Sequence, residues 1–269
     1  MGRALGLSRW SAARRWYLLW FYRVFVRRKP LAALRYAVSG RETSNFTYDI
    51  ANRDELAAFT ARALGGLEAH VVRLFAEIEG DHLFLDELEA GLRTRRDRNR
   101  RPMLGRRLVW YAATRITRPE IAVETGTHDG LGSAVIARAL QRNGEEGRPG
   151  RLLTFDTDSG CGWLVPASLR PLVDVQVGDV RETLAAALAG LRVGLFVHDS
   201  LHTYEHELFE LRTVMDVAAP GVVLISDNAH ASQALADFAG ARGAAYHYAP
   251  EVPVDHFYPG GGVGIAVVG

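Results

Sequence analysis

From residue 120 onward, short runs rich in β-branched and apolar residues alternate with stretches of helical spacing. No other feature constrains the fold as strongly. The runs cover 121–125 (IAVET), 151–156 (RLLTFD), 172–179 (LVDVQVGD), 193–199 (VGLFVHD) and 221–227 (GVVLISD). Helical spacing covers 132–142, 181–189, 203–218 and 231–240. Such alternation predicts right-handed strand–helix–strand units and a parallel sheet, that is, an α/β fold. The tail breaks the pattern: 244–248 and 263–268 read as two more strands, separated by a Pro/Gly-rich stretch without a helix.

Upstream the texture is helical. Residues 54–64, 67–79, 82–96 and about 103–116 carry apolar residues at helical spacing, after a polar connector at 40–52. Three parts are expected: an arm over 1–43, a helical region over 44–118 and an α/β domain over 119–269. Within the helical region, 93–107 carries eight arginines against one acid, Asp97. That run reads as a solvated face, or as a clamp for an acidic or phosphorylated substrate.

Charge is distributed unevenly. Residues 1–41 hold ten Lys/Arg and no Asp/Glu, whereas the remainder holds 22 against 31. An acidic body argues against nucleic acid as a partner, because phosphate neutralisation needs a basic surface. The single cysteine, Cys161, excludes an intrachain disulfide and a CxxC metal site, and fits a reducing cytoplasm. In the arm, Trp10, Trp16, Tyr17, Trp20, Phe21, Tyr22 and Phe25 interleave with arginines. The apolar run 16–22 is too short to span a bilayer. Three readings stand for residues 1–30: a helix packed on the protein or on a second copy, an interfacial helix on the anionic inner face of a membrane, or a lid over substrate.

Ligands of open α/β sheets bind outside the carboxyl ends of the strands, and polar residues concentrate there. The first run ends in Glu124-Thr125-Gly126-Thr127-His128-Asp129-Gly130-Leu131-Gly132-Ser133. Its glycines allow positive φ and close backbone approach. The second ends in Asp156, suited to accept from ribose hydroxyls. The third ends in Gly178-Asp179, where a carboxylate can accept from an adenine amine. The fourth ends in His198-Asp199 with His202 beyond, and the fifth in Asp227-Asn228. A nicotinamide dinucleotide would need G-x-G-x-x-G to hold its pyrophosphate. Here the glycines are spaced differently, and Glu124 and Asp129 would repel that group.

Over about 120–269 these residues resemble the class I S-adenosylmethionine-dependent methyltransferases. ETGTHDGLGS looks like their first motif, with one extra residue before Ser133. The segment VHDSLHTYEHELFELRTVMDVAAPGVVLISDN is similar to the D-G-x-H-x-Y-E … D-D pattern of the macrocin O-methyltransferase and cephamycin C7-methoxylation (cephalosporin hydroxylase-like) group. The resemblance implies a Rossmann-like seven-stranded, mostly parallel sheet with an antiparallel last strand. It implies a cofactor site built from Glu124, Gly126, Thr127, His128, Gly130, Ser133, Asp156, Asp179 and His198. It also implies a divalent cation, usually Mg²⁺, on Asp199, Asp227 and Asn228. Ser200 departs from the pattern's glycine and Asn228 from its second aspartate. An amide oxygen can still ligate a hard cation, with one negative charge fewer.

The function expected is O-methylation of a hydroxyl on a sugar, glycan or natural product. His202 is the first choice for general base, because an unperturbed imidazole titrates near neutrality, and Asp199 is the alternative. Competing readings are a metal-independent N- or carboxyl-methyltransferase and a non-catalytic, membrane-associated binding protein.

Overall fold

The computed structural model describes residues 16–39 and 46–269. Trp10 and parts of the expected arm and connector lie outside the described residues. The strands are β1 (Ile121–Thr125), β2 (Arg151–Asp156), β3 (Val173–Val177), β4 (Val193–His198), β5 (Ala218–Ser226), β6 (Tyr246–Pro250) and β7 (Gly262–Val268). They form one seven-stranded sheet in the order β3-β2-β1-β4-β5-β7-β6. The pairs from β3 through β5 are parallel, and β7 runs antiparallel between β5 and β6. The fold is the expected Rossmann-like one, with its antiparallel last strand slotted inside the edge.

Helices cover both faces. One face carries α3 (Arg53–Ala63), α4 (Glu68–Glu79), α5 (His82–Arg93), α6 (Arg107–Thr117) and α7 (Leu131–Glu145). Their Leu56, Phe75, Leu88 and Trp110 share one buried cluster with Ala122, Leu152, Leu195 and Ile225 of the sheet. The other face carries α8 (Val180–Leu188), α9 (Tyr204–Met215) and α10 (Ala234–Gly240). Leu184, Leu211 and Phe238 there meet Val123, Phe155, Phe196 and Leu224. Neighbouring strand residues thus divide between two apolar layers, which explains the unbroken apolar runs of the sequence. The texture change at 118/119 is not a gap in packing. Gly132, at the start of α7, has no room for a Cβ because the Trp110 ring of α6 and the Glu124 carboxylate fill that space.

Helices α1 (Arg23–Arg28) and α2 (Pro30–Ser39) lie apart from these layers. Tyr36 and Ala33 pack on Phe257, joined by Leu18, Tyr22, Val26 and Phe46.

Several boundaries differ from the sequence reading, among them the two that flank β5. α9 stops at Met215 and β5 starts at Ala218, not at 221. The Val193 N–H bonds to the Val217 carbonyl at 2.9 Å, so pairing with β4 begins before the bulge around Pro220-Gly221. α10 begins at Ala234 because Asn228 takes a left-handed φ of 48° and the Ser232 hydroxyl then accepts from the Ala234 N–H at 3.0 Å.

Candidate active site

The first strand lies between the second and the fourth, so the chain reverses its winding there. A crevice opens at such a point, outside the carboxyl ends of β1 and β4. Register brings the tips together: Thr125 is opposite both Phe155 and His198, and His198 is opposite Ser226. The ladder continues past the strands. Gly126 N–H donates to the Phe155 carbonyl (2.8 Å), Asp199 N–H to Thr125 (2.9 Å), Asp227 N–H to His198 (2.8 Å) and Gly178 N–H to Asp156 (2.9 Å). Residues far apart in sequence therefore stand in a row.

They border a cavity of about 690 Å³. At one end are Gly126, His128, Asp156, Gly178, Asp179 and Arg181; at the other are Asp199, Ser200, His202, His206 and Asn228. Two backbone donors aim the Asp156 carboxylate: His128 N–H at 2.7 Å and Asp158 N–H at 2.9 Å. His128 reaches this geometry in the left-handed region, φ 49°. Asp179 caps α8, accepting from Arg181 N–H at 2.9 Å. At Gly130, φ is 92° and a Cβ would press on the Gly162 backbone.

Other residues expected to touch the cofactor stand behind the cavity wall. Glu124 is buried. Its carboxylate accepts from the Ser133 hydroxyl and from the Thr154 hydroxyl (2.7 Å), and Thr127 meets Thr154 at 2.7 Å. Burial raises the Glu124 carboxyl to about 7, against the pull of those hydroxyls. His198 is fully buried, with Nδ1 2.7 Å from Glu210. Burial would push Glu210 up, but His198, His206 and the Ser200 hydroxyl outweigh it and hold that carboxyl at about 2. These groups brace the tips of β1, β2 and β4.

At the far end, His202 Nε2 lies 3.7 Å from Asp199 Oδ1 and 3.0 Å from Asn228 Nδ2. Burial lowers the His202 imidazole to about 4, so the ring is neutral at physiological pH. Asp199 is pushed up by burial and by the neighbouring Asp227. Burial also acts on Asp227, yet the Arg106 guanidinium overrides it and keeps that carboxyl low. Arg106 forks onto Asp227: Nη2 donates to Oδ2 at 2.7 Å and Nε faces Oδ1. Its Nε also lies 3.5 Å from Glu251, which accepts from the Tyr48 hydroxyl.

Residues 123–229 match the family model described as "Methyltransferase domain". This stretch is a methyltransferase domain. Its fold recurs in solved structures. The O-methyltransferase TomG of Streptomyces achromogenes, titled as involved in tomaymycin synthesis and in complex with SAM, is 19% identical. The match covers 69% of this chain and 89% of that one, with a TM-score of 0.51. A methyltransferase from Geobacter sulfurreducens is 21% identical over 73% and 97% of the two chains, TM-score 0.50. An O-methyltransferase of Bacillus cereus, titled as in complex with SAH, is 12% identical over 80% and 97%, TM-score 0.48. No curated protein matches the chain in sequence.

The sequence reading missed three members of this site: Arg106, Glu210 and Glu251. Arg106 belongs to the arginine-rich run read as a solvated face or substrate clamp, yet it and Arg107 are buried. The available signal was their position at the mouth of an apolar helix, Gly105-Arg106-Arg107-Leu108-Val109-Trp110. Glu251 and Glu210, which complete the electrostatics around the methyltransferase domain's acidic tips, carried no motif.

Arg106 also revises the expected metal set. Asp199, His202 and Asp227 offer donor atoms within 4.8 Å of one another. The Asn228 amide nitrogen lies 3.0 Å from both Asp227 Oδ2 and His202 Nε2. Both Asp227 oxygens already face a guanidinium, and the two side chains are only 6% and 0% exposed. A divalent ion added there would meet the fixed positive charge of Arg106, and like charges repel. Arg106 and such an ion would therefore compete for Asp227.

Proposed function

We propose that this protein transfers a methyl group from S-adenosylmethionine to a hydroxyl oxygen of a sugar, glycan or natural product, without a divalent cation. The observation that carries this reading is the two-ended cavity. Asp156 and Asp179, at the tips of two adjacent strands, line one end, where an uncharged adenosine would find two carboxylates, and a neutral imidazole beside a carboxyl lines the other. Bound there, the cofactor would supply an electrophilic methyl carbon on a positive sulfur.

An alcohol is a weak nucleophile at neutral pH and must lose its proton as it attacks. His202 is free to take that proton because burial keeps the ring uncharged. Asn228 can serve both ring states. Its amide nitrogen lies 3.0 Å from Nε2, so the amide would swing aside as Nε2 takes the proton, and its oxygen would then accept from the imidazolium. The nearby Asp199 and the Arg106–Asp227 pair hold the local charge. The acceptor oxygen gains the methyl carbon, the carbon–sulfur bond breaks with its electron pair left on sulfur, and the proton goes to His202.

Calorimetry with S-adenosylhomocysteine tests the cofactor half. Binding is expected, and Asp156→Ala should weaken it at least tenfold, as for loss of charged hydrogen bonds. No binding, or binding indifferent to Asp156→Ala, overturns the reading. A screen of hydroxyl-bearing acceptors with and without EDTA tests the rest. Turnover that vanishes with chelator and returns with Mg²⁺ would restore the cation.

A further inference from the structure

The arm helices are apolar on two sides, and the fold accounts for one of them. Leu18, Tyr22 and Val26, at helical spacing, face inward with Ala33 and Tyr36 onto Phe46 and Phe257. Lys29 adds a bond to the Pro253 carbonyl at 3.4 Å. Trp16, Tyr17, Trp20, Phe21 and Val24 form the opposite stripe, and Leu31, Leu34 and Val38 continue it along α2. All eight are between 54% and 74% exposed. The aromatics lie against one another, Tyr17 stacking on Phe21 at 6.1 Å. A helix apolar all round is ordinarily covered on every side. An outward apolar face of this extent marks an interaction site.

Charge identifies what covers it. Residues 16–39 hold Arg23, Arg27, Arg28, Lys29 and Arg35 and no acid. Arg23 sits over the Trp20 ring at 5.1 Å, so cations and aromatics share this surface. A second copy paired through this same face would bring the same cations against these with nothing to neutralise them. A bilayer with anionic headgroups supplies negative charge at the rim and acyl chains beneath, and Trp and Tyr favour that boundary. No described helix is long and apolar enough to cross a membrane.

We infer that the outward face of 16–39 is a docking surface for anionic lipid bilayers, with both helices lying in the interfacial plane and the methyltransferase domain held beside it. Flotation of the full chain with vesicles of phosphatidylcholine carrying 30% phosphatidylglycerol tests this. The protein should float with these vesicles, stay behind with pure phosphatidylcholine, and be released at 1 M salt, where screening shortens to about 3 Å. Arg27→Ser with Arg28→Ser should lower partitioning about 30-fold, since each cation near the surface contributes about fivefold. Trp20→Ser with Phe21→Ser should lower it as well. Both variants should keep the wild-type affinity for S-adenosylhomocysteine or, should the protein bind none, the wild-type melting temperature, which shows that the fold is intact. Indifference to lipid charge overturns the proposal. So does a stable dimer in light scattering that Trp20→Ser with Phe21→Ser dissociates, because it assigns the face to a second copy.

Discussion

Gly126 and the Asp199 backbone approach so closely that a Cβ on Gly126 would overlap the Asp199 carbonyl oxygen. The glycine also sits at φ 92°, where L side chains are strained. Gly126→Ala should therefore force the tips of β1 and β4 apart. Stability should fall by about 2 kcal/mol or more, as for strained backbone with a clash, and affinity for S-adenosylhomocysteine should fall with it. Urea unfolding and calorimetry check both; an alanine variant that binds normally would mean the tips tolerate separation.

Removing Arg106 should leave Asp227 and Glu251 buried with no cation between them. Arg106→Met is expected to cost about 3–5 kcal/mol, typical of a broken buried pair. Adding Asp227→Asn should recover part of that loss, because the uncompensated charge goes with it. A double-mutant cycle in denaturant measures the coupling. Additive effects would show that the guanidinium and the carboxylate do not act together.

His202 is expected to carry the pH dependence of turnover. Burial lowers the imidazole to about 4 in the fold, so it remains an unprotonated base well below its ordinary titration range. The acid limb of kcat/KM should fall near pH 4 and not near 6.5. His202→Gln should reduce kcat by roughly 10²–10⁴-fold, leaving S-adenosylhomocysteine affinity nearly unchanged. A limb near 6.5, or a mild kcat effect, would move the base elsewhere.

Glu124 should make the fold less stable as pH rises. Its folded value of about 7 lies above the unfolded 4.5, so the folded chain holds that proton more tightly. The contribution is fully present below pH 4.5 and lost as pH passes about 7, a swing on the order of 3 kcal/mol. Comparing Glu124→Gln with wild type by urea unfolding at pH 5 and pH 8 isolates it. The variant should gain relative stability at the higher pH. Parallel curves would show that the carboxyl is ionised throughout.

The sheet was legible because its signal is local. Each strand is a short apolar run, each tip ends in a glycine or an acid, and the helix-free tail marks the strand pair that breaks the alternation. Asp156, Asp179, Asp199 and His202 were legible for the same reason: chain direction and strand ends locate them. Asn228 reads in sequence as a substituted ligand; in the fold its left-handed backbone, φ 48°, is a conformation asparagine tolerates well. Arg106 and Asp227 are 121 positions apart and meet only through tertiary packing. An arginine run reads alike whether its members end in water or under a sheet.

The family match spans 123–229, and Arg106 falls outside it. The counter-charge for the domain's acidic tip is thus supplied by a helix entrance that lies outside the matched stretch. Anyone exchanging front halves between this protein and a relative would be replacing the partner of Asp227 while leaving the whole matched stretch untouched.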